Sequence, residues 1–361
     1  MSRVLVLTAS VGEGHDLPAR TLTDQILAEE PGAEVVVRDG LAEMGRLFKL
    51  ANEQVPGFIF HRAQWLYDLC FWLVAGFGPT RRAFRFVAIR VGGPRLLKLV
   101  DDVQPDVVVS VYPVTTEVLA DLRRRGRLEV PVAAGITDLA MMRWWAAPGV
   151  DLHLVTHPES IDEVHQVAGR DTRVEVVHGL TRPEFTRPCD PADARRALGL
   201  PVEGKVVLVS GGGWGVGDLV SAIDASLGLE VALVVALCGR NDVLRERLEA
   251  GYADEPRVRV VGFTEQMNEW LAAADALVHS TGGLTVLEAH IRGCPTISYG
   301  WGRGHIRANN RAFTRFGLAE VAATRGQLVS ALEAALAERR SGDASFARLP
   351  SAASLVLALI A

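Results

Sequence analysis

Short runs of aliphatic residues alternate with longer amphipathic stretches along almost the whole chain. In the first half the runs are Val4–Leu7, Val35–Val37, Val107–Ser110, Val132–Ile136, Leu152–Val155 and Val174–Val177, and in the second half they are Lys205–Ser210, Val231–Leu237, Val258–Val261, Ala276–Val278 and Pro295–Ser298. Aliphatic runs without polar alternation are typical of parallel strands that helices cover on both faces. The pattern predicts an α/β protein with two doubly wound parallel sheets in series.

The two predicted sheets are expected to form separate domains. With 361 residues, the chain is long for one hydrophobic core and suits two domains of ordinary size. The stretch His178–Pro191 is rich in proline and has no helical period, so it is predicted to join them. We expect a first domain over residues 1–180, a second over 187–340, and a C-terminal segment, 341–361, whose apolar helix crosses back onto the first domain.

Composition narrows the function classes. A net charge of −5 argues against a nucleic-acid-binding protein. The four cysteines lie far apart, which favours free thiols in a reducing compartment over disulfides or a metal site. The apolar run after Met1 is too short for a signal peptide, and no stretch is long and apolar enough to span a bilayer. These features predict a cytoplasmic protein and leave contact with a membrane surface open.

The stretch Arg257–Pro295 has the strongest ligand-binding pattern. It reads as a strand, a helix over Glu265–Ala274, a short strand over Ala276–His279 and a helix over Leu284–Arg292, with four small residues before the last helix. Backbone N–H groups and the positive end of a helix dipole can approach an anion closely at such a turn. The predicted anion site comprises Ser280, Thr281, Gly282, Gly283 and Thr285.

One acidic residue follows this turn at an informative distance. Glu288 lies one helical turn beyond Thr285, and residues three apart share a helix face. A carboxylate there is too deep to meet a phosphate, which it would repel, but it can accept hydrogen bonds from a ribose diol. Diphosphate at the helix start with ribose one turn on predicts a nucleotide diphosphate, and specifically a nucleotide sugar.

Three further strand ends of the second domain are expected at the same crevice, because the carboxyl ends of parallel strands meet at one edge of a sheet. The glycine run 211–217 follows one strand, and by itself it equally suits a flexible turn. A second strand ends in Gly239 and Arg240, and a third in Phe263 and Thr264, where the ring could flank a base. The predicted contacts from the glycine run are Gly212, Gly213 and Trp214.

The first strand-to-helix turn contains a candidate general base. Gly12 and Gly14 let the backbone pass close to a ligand, and His15 is expected in a loop that opens into the cleft between the domains, where its near-neutral pKa suits proton transfer. A lone loop histidine is more often structural. The glycines could also be half of a dinucleotide fingerprint with Asp39 as its acid, although the third glycine position falls on Leu17.

Asp138 is a second catalytic candidate. It follows a buried strand, and an acid at the carboxyl end of a strand points into the ligand crevice of an open sheet. It could orient His15 or hydrogen-bond the acceptor, and it could also merely cap the turn.

Residues 55–100 form an unusual part of the first domain. The segment is rich in phenylalanine and tryptophan, and from Leu69 to Val100 it has no acidic residue while all its charges are basic: Arg81, Arg82, Arg85, Arg90, Arg95 and Lys98. Apolar and aromatic groups beside basic residues suit a helix that lies on an anionic bilayer surface. The alternative is an ordinary pair of buried helices with arginines at its rim.

Over most of its length the chain resembles the GT-B glycosyltransferases of the bacterial MurG and plant-type monogalactosyldiacylglycerol synthase group. In the second domain GGGWGVGDL, VALCGRND, VVGFTEQMNEWLAAAD and STGGLTVLEAHIRGCP follow that group's order and spacing, and in the first domain VGEGHDLPA, TDLAMMRWWAAPGVDLHLV and HGLTRPEF do so. The resemblance is closer to the galactolipid synthase branch. It implies the GT-B arrangement of two Rossmann-like domains that face a cleft.

The resemblance also implies a reaction. That reaction is the inverting transfer of a sugar from a UDP-sugar, without a metal or another cofactor, to a membrane-bound lipid hydroxyl. His15 falls on the family's catalytic base and Glu288 on its ribose ligand. Met267 and Leu284 lie within the matching motifs and complete the predicted nucleotide-sugar contacts of the second domain.

The sugar-reading loop differs from the family pattern. Asn309 matches the family's asparagine, but His305 and Ile306 stand where the family has glutamine and glutamate. In the first domain Glu13 stands where the family has glycine. His305 and Asn309 stay candidate sugar contacts, and the resemblance leaves the identity of the sugar open.

The sequence thus predicts an inverting hexosyltransferase that uses a UDP-sugar and a diacylglycerol-like acceptor at the cytoplasmic face of the cell membrane. Its partners are the UDP-sugar, the lipid acceptor and an anionic membrane surface, and nucleic acid is not among them. The alternatives are a glycosyltransferase with a soluble metabolite as acceptor, an enzyme like the UDP-sugar 2-epimerases, and a nucleotide-sugar-binding protein that has lost its chemistry.

Overall fold

A computed structural model describes residues 1–9, 13–46, 48–49, 69, 72–140, 142–280, 282–300, 302, 304–337 and 341–360. The chain forms two compact units. Unit 1 comprises Met1–Arg182 and Leu349–Ala361, and unit 2 comprises Pro183–Arg348. Within the described residues, no helix is long and apolar enough to cross a membrane.

Unit 1 is built on a six-stranded parallel sheet in the order β2-β1-β3-β4-β5-β6. Its elements are β1 (Arg3–Thr8), α1 (Glu13–Glu29), β2 (Glu34–Asp39), α2 (Gly40–Met44), α3 (Gly78–Val87), α4 (Gly93–Val103), β3 (Val107–Ser110), α5 (Pro113–Arg124), β4 (Val132–Gly135), α6 (Met142–Trp145), β5 (Leu152–Val155), α7 (Ile161–Ala168) and β6 (Val174–Val176). The strand order reverses between β1 and β3. In a doubly wound sheet, ligands bind beyond the carboxyl ends of the strands at such a reversal.

Unit 2 repeats this plan with the order β12-β11-β10-β7-β8-β9. Its elements are α8 (Pro191–Leu198), β7 (Val206–Ser210), α9 (Leu219–Leu227), β8 (Leu233–Leu237), α10 (Asp242–Gly251), β9 (Val258–Val261), α11 (Met267–Ala273), β10 (Ala276–His279), α12 (Gly283–Ile291), β11 (Thr296–Tyr299), α13 (Gly304–Arg315), β12 (Glu320–Ala322) and α14 (Arg325–Ala337). Here the order reverses between β7 and β10, so the predicted ligand edge of this sheet lies at Ser210 and His279.

The predicted α/β fold with two doubly wound sheets is confirmed, and every aliphatic run of the sequence contains a strand. The central strands are buried on both faces, which is why they read as unbroken aliphatic runs. Sequence analysis missed β12, a short edge strand in which Glu320 and Val321 are exposed. It also began the helix before β10 at Glu265, whereas α11 begins at Met267.

The chain returns to unit 1 at its C-terminal end. Helix α15 (Ala352–Leu357) buries Ala352, Ala353 and Val356 against α1 and β3, and Ser351 pairs with His178 in a parallel bridge. Unit 2 begins at Pro183, before the predicted limit of 187, and it ends at Arg348, after the predicted limit of 340. The segment before the return packs on α12, because Asp343 N–H donates to the carbonyl of Ile291.

A buried ion pair fixes the start of the two central strands of unit 2. Arg195 Nη2 lies 2.6 Å from Asp275 Oδ2, and these side chains are only 9% and 11% exposed. The same carboxylate oxygen accepts the N–H of Val206, the first residue of β7, at 2.8 Å. Asp275 immediately precedes β10, so the pair sets the register of β7 against β10 and thereby the positions of the loops at their other ends.

Candidate active site

His15 lies in the first turn of α1, beyond the carboxyl end of β1. Because α1 begins at Glu13, the prediction that His15 sits in a loop was wrong. Its half-buried ring has Nδ1 3.2 Å from the carbonyl oxygen of Val111, the residue that follows β3. The neighbouring Gly14 is exposed in the same turn. His15 therefore spans the point where the strand order of unit 1 reverses.

Two aromatic rings flank the His15 imidazole. The Tyr112 ring meets it edge to face, with centroids 5.0 Å apart and an interplanar angle of 81°. The Trp145 ring lies on another side, with centroids 5.7 Å apart and an angle of 37°. The indole N–H of Trp145 donates to Asp138 Oδ2 at 2.9 Å. The structure thus brings the two predicted catalytic residues into one cluster, with Trp145 between them.

A buried hydroxyl network holds the end of β3 in place. Ser110 Oγ and Thr115 Oγ1 are 2.7 Å apart, and the Thr116 hydroxyl donates to Ser110 Oγ at 2.9 Å. The hydroxyls of Thr115 and Thr116 also lie within hydrogen-bond distance of the Tyr112 carbonyl. The residues that contact His15 therefore belong to a rigid turn.

In unit 2 the loops after β7 and β8 pack directly against each other. Gly212 and Gly213 begin a short 3₁₀ turn, Gly212–Trp214, and the Gly213 carbonyl accepts the N–H of Arg240 at 2.8 Å. Gly239 has a φ of +60°, and a Cβ there would lie 2.4 Å from the Gly212 carbonyl oxygen. This close approach requires glycine at position 239.

The loop after β7 also contacts the loop after β10. A Cβ on Gly217, whose φ is +113°, would lie 2.3 Å from Ser280 Oγ. That hydroxyl donates to the Tyr299 carbonyl at 2.8 Å, and Ser280 is only 5% exposed. Ser280 therefore ties together the carboxyl ends of the three neighbouring strands β7, β10 and β11, and its side chain supports the loops rather than projecting from them.

Helix α12 begins at this junction without a side-chain cap. The residue at the N-cap is Gly282, which has no side chain that could accept a hydrogen bond from the first N–H groups of the helix. Gly283 and Leu284 are buried, whereas Thr285 is half-buried. Unsatisfied N–H groups at a helix start favour an anion. One turn deeper, Glu288 is only 4% exposed, in agreement with the predicted placement of a carboxylate behind the helix start.

Phe263 and Thr264, in the loop after β9, make different kinds of contact: the Phe263 ring packs against Arg240 from the loop after β8, and the Thr264 hydroxyl forms hydrogen bonds. The Arg240 guanidinium lies 3.7 Å from the centre of the Phe263 ring, so it occupies one face of that ring. The Thr264 hydroxyl oxygen accepts from the N–H of Gln266 at 3.0 Å and from the indole N–H of Trp270 at 3.2 Å. Thr264 thus stabilises the start of α11, where Met267 is half-buried.

Two of the remaining predicted contacts, His305 and Asn309, belong to α13. Asn309 is 1% exposed, and Ile306 is also buried. His305 is in the first turn of the helix. Thr281 lies outside the described residues. In the described part of the chain, no three His, Cys, Asp or Glu side chains come together as a set of metal ligands.

The described part of the 55–100 segment, Leu69 and residues 72–100, is neither a buried helix pair nor a uniformly polar surface. Six of its large apolar side chains are exposed, with Phe86 at 68% and the others at 37–51%: Leu69, Trp72, Phe77, Val87 and Val91. Arg82 and Arg90 are exposed beside them. Arg85 instead turns to α5, where its Nε lies 3.3 Å from Glu117 Oε1, and burial raises the pKa of this Glu117 carboxyl.

Several residues that contact the predicted ones were not themselves predicted. Val111 and Tyr112 follow the β3 run, and Tyr299 ends β11. A strand-order argument could have found them, because residues after β3 and β11 must lie beside those after β1 and β10 once the sheet is doubly wound. Asp39, considered as a ribose ligand, caps α2 by accepting the N–H of Ala42 at 2.9 Å.

Two family models match the chain, one in each unit. The model described as "Monogalactosyldiacylglycerol (MGDG) synthase" matches residues 15–180, and the model described as "Glycosyl transferases group 1" matches residues 205–337. The first match begins at His15, and the second covers β7 to the end of α14.

Curated relatives and solved structures agree with these matches. The processive diacylglycerol beta-glucosyltransferase of Bacillus subtilis is 26% identical over 338 residues, which cover 93% of this chain and 87% of that protein. Monogalactosyldiacylglycerol synthase 1 (chloroplastic) of Arabidopsis thaliana is 34% identical over 222 residues, 57% of this chain and 41% of that protein. The crystal structure of Acinetobacter baumannii MurG superimposes with a TM-score of 0.59 at 18% identity, covering 100% of this chain and 99% of that one.

Proposed function

We propose that this chain, a GT-B glycosyltransferase whose first unit matches the monogalactosyldiacylglycerol synthase model over residues 15–180, transfers a hexosyl group from a UDP-sugar to the hydroxyl of a diacylglycerol-like lipid, with inversion at the anomeric carbon. The observation that carries the proposal is the uncapped start of α12 at the strand-order reversal of unit 2, with Glu288 buried one turn behind it. The diacylglycerol acceptor of the relative from Bacillus subtilis supports the choice of lipid.

Unit 2 supplies the donor site. The N–H groups at the start of α12 and the backbone of the glycine run after β7 bind the diphosphate, and Glu288 accepts hydrogen bonds from the ribose diol. Fixed N–H donors stabilise the negative charge that develops on the leaving diphosphate, so no metal ion is required for this role. Asn309 and His305, both in α13, stay the proposed contacts of the sugar.

Unit 1 supplies the base. His15 removes the proton from the acceptor hydroxyl, and the hydroxyl oxygen forms a bond to the anomeric carbon as the bond from that carbon to the diphosphate oxygen breaks. UDP leaves with the bonding electron pair, and the proton stays on the imidazole until it passes to solvent. Attack opposite the leaving group inverts the anomeric configuration.

The exposed apolar and basic residues of segment 72–100 are proposed to contact an anionic membrane surface, on the inner face of the cell membrane. Phe86 and Val87 would insert between lipids while Arg82 and Arg90 meet the headgroups. This combination favours a lipid acceptor over a soluble metabolite, because a soluble acceptor gives no reason for several exposed apolar side chains beside exposed arginines in one segment.

Calorimetric titration and an activity assay test the proposal together. We expect UDP to bind without divalent metal, one of UDP-galactose, UDP-glucose and UDP-N-acetylglucosamine to bind better than the others, and His15→Ala to retain UDP binding while it loses transfer to dispersed diacylglycerol by about 100-fold or more. Glu288→Ala should instead lose UDP binding. If UDP does not bind, the donor site is wrong. If UDP binds but no sugar reaches a lipid, the acceptor is wrong, and a lapsed or epimerase-like protein is the better description.

A further inference from the structure

We propose that Trp145 is the positioning residue of the His15 base and that Asp138 acts on the base through Trp145. The proposal rests on the proposed function, because it needs His15 as the proton acceptor. Its starting observation is independent of that function: the indole N–H to Asp138 Oδ2 bond of 2.9 Å and the indole ring 5.7 Å from the imidazole form one continuous chain.

The backbone decides which imidazole nitrogen is the base. The carbonyl of Val111 can only accept a hydrogen bond, so the His15 Nδ1 that lies 3.2 Å from it must carry the proton. The lone pair is then on Nε2, in the neutral state that a base requires. The Val111 carbonyl is sufficient for this choice of tautomer, so we assign a different role to the bond from the indole to Asp138.

The indole is held in place by buried surroundings and by a hydrogen bond. Trp145 is 2% exposed and packs with Ile136, Met142 and Val155 in a small apolar cluster. Its one polar atom is paired with Asp138. A side chain fixed both by packing and by a hydrogen bond limits the tilt of a ring that lies against it. The edge of Tyr112 limits the same ring on another side.

The indole is also suited to the charge that forms during the reaction. When His15 accepts the proton it becomes a cation within 6 Å of an indole ring, which attracts cations more strongly than other aromatic rings. Asp138 sits at the N–H end of the indole, so its negative charge adds to this attraction. Asp16 is the next acidic residue on α1, and its carboxylate accepts from the Thr8 hydroxyl at 3.0 Å.

The test measures how kcat/KM depends on pH, together with the titration of the His15 ring by NMR. Trp145→Leu should lower kcat by roughly 10- to 100-fold, because the base is no longer held in line. It should also move the acid limb of kcat/KM, and the NMR titration of His15, to lower pH by roughly half to one pH unit, because the imidazolium loses its aromatic neighbour. UDP binding should not change.

Two conservative variants and one control sharpen the result. Trp145→Phe keeps an aromatic face but loses the bond to Asp138. The acid limb of its kcat/KM profile should stay close to the wild-type pH, while kcat falls. Asp138→Asn keeps a hydrogen-bond acceptor but removes the charge, and it should move the limb part of the way with a smaller loss of kcat. Trp144→Leu is the matched control, since Trp144 is adjacent in α6 and stacks on Phe84 instead.

The outcomes separate the two proposals. If Trp145→Leu lowers the amplitude of the profile but leaves both the acid limb and the NMR titration in place, Trp145 has only a structural role and the inference is wrong. The inference is equally wrong if Trp144→Leu moves the limb by the same amount. If the wild type shows no transfer although His15 titrates differently in Trp145→Leu, the electrostatic link stands and the proposed function fails.

Discussion

Acid should destabilise unit 1 through His153, a residue of β5 with no exposed surface. Its Nε2 accepts the N–H of Ala147 at 3.4 Å, so the neutral ring is part of the folded structure. Burial lowers the pKa of His153 from 6.5 to about 4, and the positive potential of His165 contributes to the same direction. Ala147 lies two residues beyond Trp145, so this contact also supports the helix that carries part of the candidate site.

The sign and size follow from proton linkage. In the unfolded chain His153 binds a proton as the pH falls below about 6.5, whereas the folded chain resists protonation until about pH 4. The contribution of the neutral His153 ring to the free energy of unfolding is therefore complete above pH 6.5 and is lost between about pH 6.5 and 4. At about 1.4 kcal/mol per pH unit, the complete loss is about 3 kcal/mol, of which about 2 kcal/mol falls between pH 7 and 5.

Urea unfolding at pH 7 and pH 5 measures this loss. His153→Gln keeps an acceptor for the Ala147 N–H but cannot titrate, so its free energy of unfolding should fall by about 2 kcal/mol less than that of the wild type over the same interval. His157→Gln, at a half-buried histidine that also accepts a backbone N–H, is the control and should follow the wild type. Equal losses in the wild type and His153→Gln would refute the assignment.

Three other variants test the stability of unit 2, its donor loops and the membrane surface. Asp275→Ala leaves the Arg195 guanidinium buried without its counter-charge, and urea unfolding should show unit 2 destabilised by about 3–5 kcal/mol; a change below about 1 kcal/mol would contradict the importance of the pair. Gly239→Ala forces a Cβ into a backbone carbonyl, so UDP affinity measured by calorimetry should fall by about tenfold or more, whereas Gly251→Ala, which has open space, should bind like the wild type. Phe86→Ser should reduce flotation with anionic liposomes by about tenfold, and flotation equal to the wild type would argue against membrane contact through α3.

The sequence alone determined the fold to a large extent. Parallel strands buried on both faces must be continuously aliphatic, so their positions could be read directly. The small residues between β10 and α12 predict an anion site, which stays a prediction. The placement of Glu288 was equally accessible, because the period of a helix fixes which residue lies one turn behind another. The edge strand β12 was not predicted, because an exposed edge strand does not need a continuous aliphatic run.

The tertiary structure alone decided what surrounds each candidate. Ser280 was predicted to face the anion, yet its hydroxyl binds the Tyr299 carbonyl, and the Thr264 hydroxyl accepts from the N–H of Gln266 just before α11. His15 and Asp138 lie more than a hundred residues apart in the chain, and nothing in their spacing shows that Trp145 stands between them. Such contacts depend on which strand ends are neighbours and on where each side chain packs, and these follow from the folded sheet rather than from any local pattern.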